Sequence, residues 1–325
     1  MTPTVFQKIM VEYNHTADVP LDYVQLSQGG YESVAFRPEE GVDKVAARAD
    51  FCRRQKTFRG TAFDSNLWFA DPGSSDSVAA GIPTDAHAWA DYVADFVDRL
   101  RMKGQHIAVL VLNIEFTGKG YPPWRANTAY KAWQIINVGG YMWQTHADGT
   151  SGKTAPVATA SMNTVKDGTI TWQLMRDGNG NPRRTGDGWN WNELAAAELF
   201  ASLTDQPTMI QPMSNQADYN LGAWMFRGAR CSPQCYGSEP YINTTDPGAE
   251  IDIVAQNSYA PLYYPGHTID RRRIHPCIGA FGQGSFYAPL ITKARLKGPF
   301  GLCVFPNNNL APSDYQVYRQ FALYA

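Results

Sequence analysis

The sequence predicts an α/β fold of the (β/α)8-barrel type, and three observations carry that prediction. Helical and strand patterns alternate along the chain, the order that parallel sheets with right-handed crossovers require. The segment His106 to Glu115 is a continuous apolar run that turns polar at its end, as a parallel strand covered on both faces does. The length of 325 residues suits a barrel of roughly 250 residues with added loops. One domain over 1–325 is therefore expected rather than two small ones.

In chain order, Phe6 to Asn14 reads as the first strand. Tyr31 to Arg37 reads as a further strand or a hairpin partner, which keeps a doubly wound open sheet as the competing architecture. A helix near Gly41 to Gln55 precedes a strand from Phe58 to Ser65. The clearest helix runs from about Thr84 to Met102: Pro83-Thr84-Asp85 opens it, Trp89, Val93, Phe96 and Leu100 share one face, and Gly104 follows the last turn. After the 106–115 strand, a helical stretch from Asn127 to Gln144 leads to a strand from Ala155 to Asn163. Asn190 with Glu193 forms a capping-box pattern opening a helix to about Leu203, and a strand from Thr208 to Asn215 follows. Further strands read at Asp252 to Tyr259, His275 to Gly282 and Phe300 to Asn307, with helices at Ser285 to Leu296 and Ser313 to Leu323. With Phe6 to Asn14 counted, the strands number eight.

Two excursions interrupt the alternation. Residues 164–189 hold the turn sequences Lys166-Asp167-Gly168 and Asp177 to Pro182 around the alternating Thr169 to Leu174, which predicts a hairpin insertion over the C-terminal face. Residues 216–250, rich in Gly, Pro and Asn, read as an irregular loop.

Composition excludes several function classes. With 28 basic against 30 acidic residues the net charge is −2, so no general attraction to nucleic acid or to an acidic membrane is expected. No apolar run approaches the ~20 residues of a membrane span. The aromatic share of 13% suits both core packing and stacking on sugar rings. Five scattered cysteines do not make a disulfide framework, although Cys231 and Cys235 are spaced to close a small loop. A zinc site there would need further Cys or His ligands, and none lies within 30 residues on either side. No metal and no cofactor is expected. Asp177-x-Asn179-x-Asn181 lacks the glycine and closing glutamate of a calcium loop and reads as a turn. Arg271-Arg272-Arg273 reads as a solvated basic patch on the face opposite the site. Gly-x-Ser-x-Gly, His-Glu-x-x-His and phosphate-cradling loops are missing. The N-terminus shows no basic segment followed by an apolar stretch, so classical secretion is not expected.

In a barrel the active site is built at the C-terminal ends of the strands. Nearly every expected strand ends in a polar residue: Glu12 or Asn14, Asp64, Asn113 and Glu115, Asn163, Asn215, Asn257 and Tyr259, Gln283, and Asn307 to Asn309. Such a ring offers many donors and acceptors to a hydroxyl-rich ligand. Glu115 is the natural general acid, sharing a face with Asn113 by period-two alternation. Asp64, read as ending the preceding strand, is its expected partner carboxylate, or a loop cap. Trp68, Trp124 and Trp191, with Tyr121, Trp189, Tyr263 and Tyr264, are candidate sugar platforms or packing residues.

Val111-Leu112-Asn113-Ile114-Glu115 and Ile253 to Tyr259 resemble the acid-bearing strand and the later tyrosine-ending strand of barrel glycoside hydrolases, particularly the chitinase-like and lysozyme-like groups. That resemblance implies a TIM-type barrel with Glu115 as the acid, Asn113 in the place of an assisting aspartate, and Tyr259 orienting the substrate. Two positions depart from the pattern. Asn113 cannot ionise, and Gln283 stands where many retaining barrel glycosidases carry a glutamate nucleophile. The expected function is thus cleavage of a polysaccharide, such as a cell-wall glycan, by general acid catalysis. The alternative is a catalytically silent carbohydrate-binding or assembly protein on the same scaffold, with a protein assembly partner, for example in a bacteriophage tail.

Overall fold

The computed structural model describes residues 9–12, 22–72, 74–114, 123–132, 134–176, 180–182, 188–212, 223–235, 247–255, 269–279, 292–294, 296–297 and 301–305. The first half alternates as expected: β1 (Ile9–Glu12), α1 (Tyr23–Gln28), β2 (Ser33–Phe36), α2 (Val42–Arg54), β3 (Asp64–Phe69), α3 (Ser75–Ala79), α4 (Ala86–Met102) and β4 (Leu110–Asn113). Six short strands follow: β5 (Ala129–Tyr130), β6 (Ile135–Val138), β7 (Tyr141–Thr145), β8 (Gly149–Thr150), β9 (Thr164–Asp167) and β10 (Ile170–Leu174). The remainder comprises α5 (Gly188–Ser202), β11 (Thr208–Gln211), β12 (Arg230–Cys231), β13 (Gln234–Cys235), α6 (Pro247–Ala255), β14 (Cys277–Gly279) and β15 (Leu302–Phe305).

The main sheet is parallel throughout, in the order β12-β11-β4-β3-β2-β1-β15-β14-β13. Its two outermost members, β12 and β13, are consecutive in sequence, separated by Ser232 and Pro233. The 230–235 stretch bonds on one flank through Ser232 N–H to Ile210 O (2.7 Å) and Gln234 N–H to Pro212 O (3.0 Å). On the other flank it accepts from His275 N–H at Cys231 O (2.7 Å) and from Cys277 N–H at Pro233 O (2.8 Å). Pro233, with no N–H to give, takes part through its carbonyl alone.

Both faces of this sheet are buried, which explains its near-continuous apolar strands. Val34, Phe36, Leu67, Phe69, Leu110, Leu112 and Ile210 face the helices and join the main core. The alternate residues Ala35, Trp68, Val109, Val111, Met209, Cys277 and Cys303 pack among themselves in a second core. Helix α4 is capped by Asp85, whose carboxylate accepts from the His87 and Ala88 N–H groups, and buries Trp89, Val93, Phe96, Val97 and Leu100. Each such side chain contributes about 1.5–3 kcal/mol by leaving water.

The stretch between β4 and α5 differs from the expectation. Instead of a helix over Asn127 to Gln144, β6 and β7 form a hairpin through Gly139-Gly140, with φ of 61° and 79°. Paired positive φ angles match the twist of flanking strands in a two-residue turn, so the two glycines select a hairpin over a helix. The hairpin foreseen at Lys166-Asp167-Gly168 is present as β9 and β10, and it completes an antiparallel sheet in the order β6-β7-β10-β9. Residues 155–163 hold no strand. They lie in this insertion, which is longer than residues 164–189 alone. Its own small core contains Tyr130, Ile136, Trp143, Ile170, Trp172 and Leu174.

Four further corrections follow. The strand expected at Phe58 to Ser65 is Asp64–Phe69. The strand expected at Asp252 to Tyr259 is, over its described part, helix α6, opened by Pro247 and burying Ile251, Val254 and Ala255. A short apolar run does not by itself separate a buried helix from a strand, and proline in the first turn favours the helix. The 216–250 region is not wholly loop, since 230–235 pairs within the sheet. Finally, all five cysteines are buried and none is in a disulfide, so Cys231 and Cys235 close no loop.

Candidate functional site

Strands β2, β3, β4 and β11, with the 230–235 stretch that bonds the β11 flank, place polar side chains near the C-terminal end of the sheet. Arg37 directly follows β2 and is 6% exposed; Trp68 lies in β3, Asn113 ends β4, Gln211 ends β11 and Gln234 opens β13. All five are buried. The Arg37 guanidinium lies over the Trp68 ring, 4.4 Å from its centroid. Trp68 Nε1–H donates to Gln211 Oε1 at 2.8 Å, and Gln234 Nε2–H donates to Asn113 Oδ1 at 3.0 Å. Asn113 and Gln211 are register partners on adjacent strands. One layer below, Asn66 Nδ2–H donates to Ser33 Oγ at 2.9 Å.

Carboxylates border this layer. Asp71, two residues beyond β3, is 1% exposed. Asp76, at the start of α3, meets Arg37 Nη1 at 3.4 Å. Glu39, in the turn between β2 and α2, has its carboxyl pushed above the ordinary glutamate range by burial; Arg37 opposes that rise, and Asp76 and Glu40 add to it. The layer thus combines amide donors and acceptors, an indole, a guanidinium and nearby acids. That inventory matches a ligand presenting many hydroxyls. Among the described residues no group of three or more His, Cys, Asp or Glu is arranged to hold a metal ion.

The residues singled out from sequence fall into three groups. Asn113 and Trp68 come together in the layer just described. Trp68 is interior, however, with its ring under Arg37 rather than open as a platform. Asp64 opens β3 instead of ending it and is exposed at the N-terminal end. Leu67 pairs with Leu110, three residues after Asp64 and three before Asn113. The separation between Asp64 and Asn113 is therefore about six residues, roughly 20 Å along the strands. Trp191 is buried between helices, 5.1 Å from the Trp89 ring, with its Nε1–H on Thr84 O. Trp124 packs against the insertion core and donates to Asp167 Oδ2 at 2.6 Å. Asn163 belongs to the insertion, where its Oδ1 accepts from Arg176 at 3.1 Å. Glu115, Asn215, Asn257, Tyr259 and Gln283, with Tyr121, Tyr263 and Tyr264, lie outside the described residues.

Arg37, Asp71, Gln211 and Gln234 are the members that sequence reasoning missed. Asp71 had a signal: Leu67-Trp68-Phe69-Ala70-Asp71 is an apolar run closing on an acid, the same pattern as the strand ending at Glu115. Gln234 had none, because Cys231-Ser232-Pro233-Gln234-Cys235 carries a proline and too few apolar residues to read as a strand.

No family model matches the sequence, and no curated protein matches it. Solved structures do resemble it in shape. An exo-β-1,4-mannosidase from an Opitutaceae bacterium superposes with a TM-score of 0.51 at 11% identity, over 98% of this chain and 59% of that one. A chitinase from Chromobacterium violaceum gives a TM-score of 0.48 at 8% identity over 98% and 100% of the two chains. The catalytic domain of a Paenibacillus polymyxa β-amylase gives 0.48 at 9% over 97% of each. Of these the mannosidase carries the comparison, and at such identity the likeness is one of fold. The chain is a mixed α/β protein that shares its fold with the mannosidase over nearly its whole length and spans about three fifths of that protein.

Proposed function

We propose that this chain is a carbohydrate-active protein on a single (β/α)8 barrel, acting on a polysaccharide at the C-terminal end of the sheet with Glu115 as general acid. The observation that carries the reading is the polar layer of Arg37, Trp68, Asn113, Gln211 and Gln234, five buried groups gathered at one end of a largely apolar sheet. Barrel closure is supported by the 230–235 stretch, which bonds β11 on one flank and the strand containing β14 on the other. Closed in this way, eight stretches of chain form the ring, and the layer lies at its mouth.

Asp71 replaces Asp64 as the proposed partner of Glu115. Phe69 pairs with Leu112, and carrying the register on by two residues brings the backbone of Asp71, which lies beyond the end of β3 and outside its strict alternation, level with Ile114, the residue before Glu115. A glycosidase needs its two carboxyl groups within about 10 Å, and neighbouring strands at ~4.8 Å spacing satisfy that. In this scheme Glu115 protonates the departing glycosidic oxygen, Asp71 supports the positive charge that develops at the anomeric carbon, and a water adds at that carbon as its proton passes to a carboxylate. The amides and Arg37 hold the sugar hydroxyls.

A second reading has its own support. Asn113 is an amide where the resemblance implies an assisting aspartate, and its Oδ1 is taken up by Gln234, which suits binding without cleavage. Release of reducing ends from a glycan panel separates the two. The enzymatic reading predicts release by the native chain and at least a hundredfold less from Glu115→Gln. Equal release from both excludes Glu115 as the acid, and binding with no release by either favours the silent reading.

A further inference from the structure

The insertion carries a cleft of about 460 Å3, within the size range of small-ligand sites, and none of its described lining residues belongs to the parallel sheet. Its polar walls are Gln144, His146, Asn163, Gln173 and Arg176. Gln144 and Gln173 are direct cross-strand partners on β7 and β10. Their neighbours in each strand, Trp143 and Trp172, are fully buried on the opposite face in the insertion core, so strand alternation directs the two glutamines to the open side. Gln173 is exposed, and its amide forms no hydrogen bond among the described residues. Arg176 fixes the wall by donating to Gly180 O (2.9 Å), Ala160 O (3.3 Å) and Asn163 Oδ1 (3.1 Å), tying three segments together. With its Oδ1 committed to Arg176, Asn163 keeps two amide hydrogens to offer.

Among the described residues no carboxylate lines this cleft, so these walls offer a cation no counter-charge. Paired side-chain amides, each with one acceptor and two donors, match the mixed donor and acceptor character of sugar hydroxyls. We infer that the cleft is a second carbohydrate-binding site, taking a short run of neutral sugar residues on the insertion, apart from the polar layer that ends the sheet. It rests on the carbohydrate reading above. Its role is to hold a polymer near the barrel mouth, with Arg176 acting as a positioning residue through Asn163.

The test uses the full chain carrying Glu115→Gln, which prevents turnover, titrated calorimetrically with manno-, cello- and chito-hexaose. The same titration is repeated after adding Gln144→Ala and Gln173→Ala. Hydrogen exchange of the parent, with and without the bound hexaose, reports the site without any change in the insertion. The expected result is a binding class weakened at least tenfold by the two alanines, with ligand-dependent protection in residues 141–145 and 170–176. Unchanged affinity with protection confined elsewhere overturns this site and leaves the carbohydrate reading standing. No binding of any hexaose, by the native chain or the parent, overturns both.

Discussion

Arg37 is buried over an indole and beside acids, and its surroundings set the titration behaviour of the site. Burial raises the Glu39 carboxyl, so this group keeps its proton in the folded chain to a higher pH than in the unfolded one. Between those two values the folded state binds more protons, and stability falls as pH rises above about 4.3. Glu39→Gln should therefore raise the melting temperature at pH 7 and lose that advantage near pH 4. A scan of melting temperature against pH for both proteins checks this. His275 acts in the opposite sense. It is fully buried, and its Nε2 accepts from Arg230 Nη1 at 3.1 Å. Burial, with Arg230 adding to it, holds the imidazole neutral well below the ordinary histidine range. The unfolded chain then binds the extra proton, so stability is lost as pH falls below about 6.5. His275→Gln should flatten that acid limb in urea titrations between pH 5 and 7, whatever its effect at neutral pH.

Among the elements, the insertion depends on one carboxylate. Asp167 is 5% exposed and accepts from Trp124 Nε1–H (2.6 Å), Trp172 Nε1–H (3.0 Å) and Gly152 N–H (2.7 Å). Asp167→Ala leaves these donors without their acceptor. A loss of about 3 kcal/mol is expected, the scale of a charged hydrogen bond removed from a buried site. Tryptophan fluorescence during urea unfolding should show it. Helix α4 was legible in the sequence because its cap and apolar stripe are local signals. The β6–β7 hairpin was not, because Ile135 to Gln144 also contains a helix-compatible spacing of apolar residues, and only Gly139-Gly140 decides between the two. Asp64 was misplaced for a related reason. Phe58 and Phe63 are apolar but precede the strand, so the expected strand began too early and its carboxylate fell at the wrong end.

For the whole molecule, the alternating order was readable, but the membership of the sheet was not: the described parallel sheet has nine strands where eight were expected. Ala155 to Asn163 and Asp252 to Tyr259 were counted, whereas Ser33–Phe36 and the 230–235 stretch take their places in the sheet. The latter was hidden because pairing on both flanks is a property of the assembled sheet, not of a five-residue pattern around a proline. The consequence for function is a change of address. The carboxylate that sequence reasoning offered beside Glu115 lies near the base of the sheet, and Asp71 lies near its top. Reducing-end release by Asp71→Asn and Asp64→Asn, measured side by side on a glycan the native chain cleaves, tests this most directly. The account predicts at least a hundredfold loss for Asp71→Asn and a rate within twofold of native for Asp64→Asn; loss with Asp64→Asn and retention with Asp71→Asn would contradict it.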